Sequence, residues 1–150
     1  MIIQQANKHD IDSIVSMLRK TFRVSFQGNH TPKYIEELCA RYTYLFMKKR
    51  LETFAYYVAV DPRNESIVGI IGLKDSAVRT FFVDPDHQGV GVGKRLHQVI
   101  EVAARREGVI KLEVEASGIA LPIYESFGYT FVREIKKPTH TNHYMTKQLR

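Results

Sequence analysis

The spacing of apolar residues predicts helices in the first third of the chain. Between residues 10 and 22 the apolar positions recur every three or four residues, as on one face of a helix: Ile11, Ile14, Val15, Leu18 and Phe22. Asp10 is the predicted N-cap of this helix, because its carboxylate can accept from a free backbone N–H. A second helix is predicted from Thr31 to about Leu51, since a capping hydroxyl followed by Pro32 is a strong start signal.

Shorter apolar or alternating runs, bounded by turn residues, predict seven strands: residues 2–5, 54–60, 67–73, 78–83, 112–116, 129–133 and 144–149. Two further helices are predicted at residues 93–107 and 120–127, each followed by a glycine. The order is β-α-α-β-β-β-α-β-α-β-β. Strands joined by tight turns pair antiparallel, whereas the strand–helix–strand unit around residue 93 predicts one parallel pair. The chain therefore predicts an α/β fold, with a mixed, mostly antiparallel sheet of about seven strands and helices on both faces.

Length and composition narrow the classes of function. With 150 residues, 44% of them hydrophobic, the chain predicts a single domain, residues 1–150, with its own core. No apolar run has the length of a bilayer and the first residues do not resemble a signal peptide, so we expect no membrane association. The single cysteine, Cys39, cannot form an internal disulfide, and a reducing cytoplasm is the expected compartment.

The charge distribution favours a small anionic ligand over a nucleic acid. The net charge is +6, but the basic residues are scattered apart from the short runs 48–50 and 136–137. Nucleic-acid-binding proteins usually concentrate basic residues on one face, so no nucleic acid partner is expected. An overall positive potential does attract a small anion.

The most distinctive segment is the glycine-rich run His87–Arg95, which reads HQGVGVGKR. It lies between the predicted strand 78–83 and the predicted helix 93–107. Glycines permit positive φ and close approach of the backbone, and free amides at a helix start attract a pyrophosphate. The spacing G-x-G-x-G fits neither the dinucleotide-binding fingerprint nor the P-loop. A glycine-rich turn that binds no ligand is the alternative interpretation.

Two segments resemble the signatures of the GNAT superfamily of acyl-CoA-dependent N-acetyltransferases. The residues Gln88-x-x-Gly91-x-Gly93 are similar to the family motif Q/R-x-x-G-x-G/A. Downstream, residues 120–129, ALPIYESFGY, resemble the second signature, A-x-x-x-Y-x-x-x-G-F/Y. The predicted order of elements is also similar to the family fold over nearly the whole chain. Ser117 departs from the family pattern, in which many members carry an asparagine at this position.

The resemblance implies acetyl-CoA as the donor substrate. Its pyrophosphate would be received by the backbone amides of the glycine-rich loop: Gln88, Gly89, Val90, Gly91, Val92, Gly93 and Lys94. Phe82 and Val83 would meet the pantetheine arm through backbone groups at a splay in the sheet, where an amide would face the thioester oxygen. Ser117 would lie beside the same arm. Lys94 and Arg95 either add positive charge to this site or are solvated on the helix surface.

Tyr124 is the predicted general acid. It occupies the tyrosine position of the second signature, and the resemblance implies that this phenol protonates the departing thiolate. The alternative is a packing role, in which Ile123, Tyr124 and Phe127 all belong to the core under a short helix. A buried tyrosine usually needs a partner for its hydroxyl, which favours the catalytic interpretation.

Glu113 is the candidate general base. Lys111, Glu113 and Glu115 share one side of a predicted strand whose other side is apolar. Carboxylates facing an open cleft can take a proton through water, whereas the alternative is a salt bridge with Lys111 or a basic helix residue. His30, in the loop between the first two predicted helices, is a further candidate, and a solvated side chain is its alternative.

These observations predict an N-acetyltransferase that moves an acetyl group from acetyl-CoA to a primary amine of a small molecule or peptide. The amine would attack directly in a ternary complex, because Cys39 lies on an apolar helical stripe and is not a candidate nucleophile. No metal is expected, since His140 and His143 lie in a predicted turn without a nearby thiol or carboxylate. The alternative function is a non-catalytic acyl-CoA sensor or scaffold of the same fold. Either protein would be a monomer or a homodimer.

Overall fold

The computed structural model describes residues 1–150. The strands are β1 (Ile2–Gln5), β2 (Ala55–Asp61), β3 (Ser66–Lys74), β4 (Ala77–Val83), β5 (Lys111–Ser117), β6 (Thr130–Lys136) and β7 (Thr141–Gln148). The helices are α1 (Ile11–Ser25), α2 (Pro32–Arg41), α3 (Tyr44–Thr53), α4 (Val92–Arg106) and α5 (Leu121–Ser126). Short 3-10 turns cover Lys8–Asp10 and Pro85–His87. Every predicted strand and helix is present, and one predicted helix is divided in two.

The seven strands form one sheet in the order β1-β2-β3-β4-β5-β7-β6. All neighbouring strands are antiparallel except β4 and β5, which are parallel. The helix α4 connects these two strands, because parallel neighbours need a long crossover connection. The predicted mixed, mostly antiparallel sheet is confirmed.

Helices cover both faces of the sheet and bury two apolar cores. On one face α1, α2 and α3 pack with Leu18, Phe22 and Met47 fully buried. On the other face α4 and α5 pack, and Leu96 and Ile100 are fully buried. Burial of each such side chain contributes about 1.5–3 kcal/mol through its apolar area. None of the helices combines the length and the apolar character needed to cross a bilayer.

The predicted helix 31–51 is two helices, which corrects the prediction. α2 ends before Tyr42, whose ψ of 77° lies outside the helical region. Thr43 then caps α3, since its hydroxyl accepts from the Phe46 N–H at 3.1 Å. Apolar residues continue across the break at helical spacing, so their periodicity conceals it. The break brings Arg50 of α3 against β2.

The start of α1 differs in detail from the predicted cap. Asp10 does precede α1, but its carboxylate makes no hydrogen bond to the N–H groups of that helix. It accepts instead from the Asn7 N–H at 2.9 Å, while Asn7 Oδ1 accepts from the His9 N–H at 2.8 Å. The two bonds form a capping box around the preceding 3-10 turn. The carboxylate therefore stabilises the turn that leads into α1.

Candidate active site

A gap between β4 and β5 opens the sheet. The two parallel strands have one Cα pair in register, Ala77 with Glu113, and then diverge. Beyond that point β4 carries a bulge, because Arg79 and Phe82 face Gly72 and Ile70 of β3, with one extra residue on β4. The gap leaves the later part of β4 with one edge that no strand covers.

The backbone of β4 presents polar groups along this uncovered edge. The Asp84 N–H donates to the Val68 carbonyl at 2.8 Å and so faces β3. Alternate residues of a strand direct their N–H groups to opposite edges, so the Val83 N–H faces the gap. The Val83 carbonyl lies on the same side, where it accepts from Gln88 Nε2 at 3.0 Å. The predicted splay at Val83 is thus present, and the Gln88 side chain ties the glycine-rich loop to it.

The glycine-rich loop ends in a helix start with free amides. Gly89 and Gly91 have φ of 78° and 89°, conformations that side-chain-bearing residues rarely adopt. Gly91 is the N-cap of α4 and has no side chain to satisfy the first amides of the helix. Val92, Gly93 and the following turn therefore present unpaired N–H groups and the positive end of the helix dipole.

Ion pairs from α1 hold the approach to this loop. Lys20 Nζ lies 3.0 Å from Asp84 Oδ1 and 2.7 Å from Asp86 Oδ2. The bonds to Asp86 and then Asp84 raise the pKa of Lys20, which keeps it protonated. Arg95, predicted either to add charge or to be solvated, donates to the Met1 carbonyl at 2.7 Å. The Arg95 guanidinium therefore hydrogen-bonds the N-terminal residue to α4.

A cavity of about 800 Å³ joins the gap, the loop and α5. It is lined by ten of the residues predicted to bind the donor or act on it: Phe82, Val83, Gln88, Gly89, Gly91, Val92, Gly93, Lys94, Ser117 and Tyr124. Val90, for which a backbone amide contact is predicted, does not line it and is 73% exposed. Glu113 does not line it either. The structure therefore brings together residues from β4, β5, α4 and α5.

Tyr124 of α5 has a packed ring and a free hydroxyl. The residue is only 7% exposed, and its ring makes edge contacts with Phe81 and Tyr129 at centroid distances of 5.9 Å and 5.2 Å. Its hydroxyl makes no hydrogen bond within the protein. Burial raises the pKa of Tyr124 well above the usual value for tyrosine, so the phenol keeps its proton at neutral pH. The hydroxyl is available as a hydrogen-bond donor in the cavity.

A buried polar chain that the sequence did not reveal lies behind Tyr124. His97 Nε2 is 2.8 Å from the Tyr129 hydroxyl, and His97 Nδ1 is 3.5 Å from Glu101 Oε1. Lys147 completes the chain by pairing with Glu101 and donating to the Phe127 carbonyl at 2.6 Å. Burial lowers the pKa of His97 to about 4, so the ring is neutral at pH 7. The contact partners come from α4, β7 and the loop between α5 and β6, which is why local sequence patterns did not show the chain.

The two glutamates of β5 are both paired. Both oxygens of Glu113 accept hydrogen bonds, one from the Ser76 hydroxyl and one from the Tyr144 hydroxyl. These bonds, that from Ser76 first, hold the pKa of Glu113 below its usual range. Glu115, two residues closer to Ser117, forms an ion pair with Lys137 at 3.3 Å. Glu113 thus accepts hydrogen bonds from Ser76 and Tyr144 in place of the alternative salt bridge with Lys111, and its role as a base stays a prediction.

A second cavity of about 620 Å³ adjoins the first. Asn29 lines both cavities. Three rings form one wall, since Tyr34 lies 4.6 Å from His30 and 4.8 Å from His140 between ring centroids. Burial, followed by the nearby charge of His140, lowers the pKa of His30. His30, a candidate base whose alternative is a solvated side chain, thus packs near His140 of the other predicted loop, at 5.7 Å between ring centroids.

Comparison with known proteins assigns the chain to a family. A family model described as the acetyltransferase (GNAT) domain matches residues 27–148. The chain therefore belongs to the GNAT acetyltransferase family, as the two sequence signatures predicted. A search of curated protein sequences gives no significant match.

Solved structures of GNAT proteins share the fold at low sequence identity. A GCN5-related N-acetyltransferase from Rhodopseudomonas palustris superposes with a TM-score of 0.90 at 20% identity, covering 98% of this chain and 94% of its own. The PaiA N-acetyltransferase from Thermoplasma acidophilum, solved in complex with coenzyme A, gives 0.83 at 15% identity, covering 99% of both chains. The Salmonella typhimurium protein YncA, solved with its cofactor acetyl-CoA, gives 0.71 at 19% identity, covering 100% of this chain and 94% of its own. The predicted GNAT fold is confirmed.

Proposed function

We propose that this protein is an N-acetyltransferase that transfers the acetyl group of acetyl-CoA to a primary amine by direct attack in a ternary complex. One observation carries the proposal: the free hydroxyl of Tyr124 shares a cavity with the uncovered edge of β4 and the free amides at the start of α4. These are the parts that acyl transfer requires, namely a proton donor, an oxyanion donor and an anchor for the donor substrate.

The donor substrate would be held mainly by backbone groups. The free N–H groups from Gly91 to Lys94 and the dipole of α4 suit its pyrophosphate, and Lys94 adds a positive charge beside them. The acyl end would extend along β4 towards Ser117 and Tyr124. Ser117 provides a hydroxyl in place of the asparagine amide of many relatives. Its shorter side chain leaves more of the arm's binding to the backbone of β4.

The chemical step would use the amide of Val83 and the phenol of Tyr124. As the amine nitrogen bonds to the acetyl carbon, the carbonyl oxygen becomes negative and accepts a hydrogen bond from the Val83 N–H, which is typically worth about 3 kcal/mol of barrier. The carbon–sulfur bond then breaks, and Tyr124 donates its proton to the thiolate sulfur, while the second proton lost by the new amide nitrogen restores the phenol. The raised pKa of Tyr124 keeps that proton in place until the thiolate forms.

The amine would lose its proton to water and then to a carboxylate. Glu115 is better placed for this than Glu113, because it lies two residues from Ser117 and its single partner is Lys137. Glu113 has both oxygens occupied and a lowered pKa, which makes it a weak base. Positioning alone lowers the barrier further, since the bound amine attacks an adjacent carbonyl.

The acceptor would enter from the second cavity, which meets the first at Asn29. The lowered pKa of His30 keeps this ring neutral at pH 7, so it does not repel a cationic amine. Glu36, paired with Arg23 at 3.5 Å, contributes a carboxylate to the same cavity. A polar amine is therefore the expected acceptor.

The proposal is tested by thiol release from acetyl-CoA against a panel of polyamines, aminoglycosides, amino acids and peptides. We expect release that depends on one class of amine, with the acetylated amine identified by mass spectrometry. Binding of acetyl-CoA by calorimetry without release on any amine would favour the sensor. Absence of acetyl-CoA binding by the folded protein would contradict both functions.

A further inference from the structure

Thr80, at the bulge in β4, has a backbone conformation that its residue type disfavours. Its φ is 54°, in the left-handed region, although threonine is β-branched and strongly prefers negative φ. Such a conformation persists only when surrounding contacts enforce it, and it often occurs at functional sites. Thr80 directly precedes the strand edge that faces the gap. Contacts of its side chain hold Thr80 in this conformation.

Three side chains from separate elements converge on the Thr80 hydroxyl. Arg50 Nη1 of α3 donates to Thr80 Oγ1 at 3.0 Å, and the Tyr42 and Tyr56 hydroxyls each lie 3.3 Å from the same oxygen. Thr80 is 8% exposed, so these bonds are shielded from water. We call Tyr42, Arg50, Tyr56 and Thr80 the Thr80 cluster.

Arg50 is itself fixed in place. Its guanidinium carbon lies 4.5 Å from the centroid of the Phe46 ring and 4.8 Å from that of the Phe54 ring. It also donates to the Tyr56 hydroxyl at 3.4 Å. Aromatic faces on the guanidinium restrict its movement and favour its charge. The donor to Thr80 is therefore already oriented.

Gly72 of β3 has no side chain, and this leaves the space that the Tyr56 ring occupies on its way to the Thr80 hydroxyl. A Cβ atom added at Gly72 would lie 2.4 Å from Cε1 of Tyr56 and 2.8 Å from the Arg79 carbonyl oxygen. Any other residue at this position would displace the Tyr56 ring or the backbone at the bulge. The position of Tyr56 in the cluster therefore requires glycine at residue 72.

The bulge determines on which face of the sheet the side chains of Phe81 and Phe82 lie. Because of the extra residue, Phe81 packs against Tyr124 at 5.9 Å on the α4 side, and Phe82 packs against Phe22 at 5.0 Å on the α1 side. Without the extra residue, the register of β4 after the bulge would shift by one residue, and the side chains of Phe81 and Phe82 would exchange faces of the sheet. The same shift would turn the Val83 N–H away from the gap.

We infer that Arg50 is a positioning residue which, through the Thr80 cluster, maintains the β4 bulge and so aims the Val83 amide and the Phe81 ring at the reacting thioester. The role in catalysis rests on the proposed acetyl transfer. The side-chain hydrogen bonds of the cluster do not involve the glycine-rich loop. Loss of Arg50 should therefore reduce kcat more than it raises the KM for acetyl-CoA, because the contacts of the loop with the pyrophosphate are kept.

The first test compares Arg50→Met with Lys49→Met, a neighbouring exposed position of α3. We expect Arg50→Met to lower kcat about tenfold or more with less than about a threefold change in the KM for acetyl-CoA, while Lys49→Met behaves as wild type. Arg50→Lys restores one donor and should recover part of the loss. An unchanged kcat in folded Arg50→Met, or equal losses in kcat and affinity, would overturn the inference.

The second test uses Thr80 itself and covers the case in which Arg50→Met does not fold. Glycine adopts positive φ freely, whereas alanine lacks the hydroxyl but keeps the strain. Thr80→Gly should therefore be at least about tenfold more active than Thr80→Ala, and adding Arg50→Met to Thr80→Gly should cost little more. Equal activities, or a full further loss in the double variant, would contradict a role exerted through Thr80.

A third readout separates this inference from the proposed function. Amide hydrogen exchange at Phe82 and Asp84, whose N–H groups face β3, should be faster in Arg50→Met than in Lys49→Met, whether or not an amine substrate is found. If the wild-type protein transfers no acetyl group but this difference is present, the structural role stands and the catalytic one falls. If exchange at β4 is unchanged, the cluster does not maintain the bulge.

Discussion

Tyr124 shows how packing and chemistry can share one side chain. Its ring is enclosed by Phe81 and Tyr129, while its hydroxyl is left without a partner in the protein. Since Tyr124 lines the cavity, the unpaired hydroxyl is free to donate a hydrogen bond to a ligand there. The packed ring therefore positions the hydroxyl. The packing interpretation applies to the ring of Tyr124, and the general-acid interpretation applies to its hydroxyl.

The role of this hydroxyl predicts the behaviour of Tyr124→Phe. We expect turnover to fall at least about tenfold, roughly 1.4 kcal/mol of barrier, because the thiolate loses its proton donor. The affinity for acetyl-CoA, measured by calorimetry, should be nearly unchanged since the ring remains. Tyr44→Phe, at an exposed tyrosine far from the cavity, is the matched control. Unaltered turnover in Tyr124→Phe would remove this residue from the mechanism.

His97 predicts how stability depends on pH. Its folded pKa of about 4 lies below the usual 6.5, so between these values the unfolded chain binds a proton that the folded protein does not. Stability should therefore fall as pH decreases from about 6.5 to about 4, by about 3 kcal/mol for this group. Denaturant unfolding of wild type and His97→Gln across this range measures the difference. Parallel curves for the two proteins would show that His97 is not the group responsible.

At the scale of elements, the glycine-rich loop and α4 form the unit that we propose binds the pyrophosphate. The helix contributes its dipole and first amides, and the two positive-φ glycines turn the backbone so that these amides face the cavity. The sequence predicted this unit well because all its parts are local. The proposed binding of the pyrophosphate would depend on backbone conformation more than on any one side chain.

The chain contains a matched control for this unit. Gly91 and Gly108 flank the two ends of α4, both have positive φ, and neither has any atom that an added Cβ would touch. Alanine at either site should cost a similar stability, about 1 kcal/mol, through the same backbone strain. Only Gly91→Ala should weaken acetyl-CoA binding, by about tenfold or more. Equal affinities of the two variants in calorimetry would place the pyrophosphate elsewhere.

At the scale of the whole molecule, the sheet separates two cores, and β4 contributes side chains to both. One core lies under α1 to α3 and the other under α4 and α5, with Phe82 packing on the first and Phe81 on the second. A ligand in the 800 Å³ cavity would contact both halves. Binding should therefore stabilise the whole fold against unfolding.

This coupling is measurable as a thermal shift. At a concentration about 100 times its Kd, acetyl-CoA should stabilise the protein by about 2.7 kcal/mol, which corresponds to roughly 5–10 °C in a chain of this size. The shift should be smaller in Gly91→Ala at the same concentration and normal in Gly108→Ala. A melting temperature that does not respond to acetyl-CoA would contradict binding in the cavity.

The sequence by itself determined the strands, the helix faces, the glycine-rich cradle and the place of Tyr124 in α5, because these depend on residues close together in the chain. It also indicated the family through its two motifs. The paired state of Glu113, the polar chain around His97 and the Thr80 cluster were decided only by the tertiary structure. In each case the partners are far apart in sequence, such as Glu113 with Ser76 and Tyr144. The local periodicity of apolar residues predicts the face of a helix or strand on which a side chain lies. The partners that the side chain contacts there depend on how distant parts of the chain pack against the sheet.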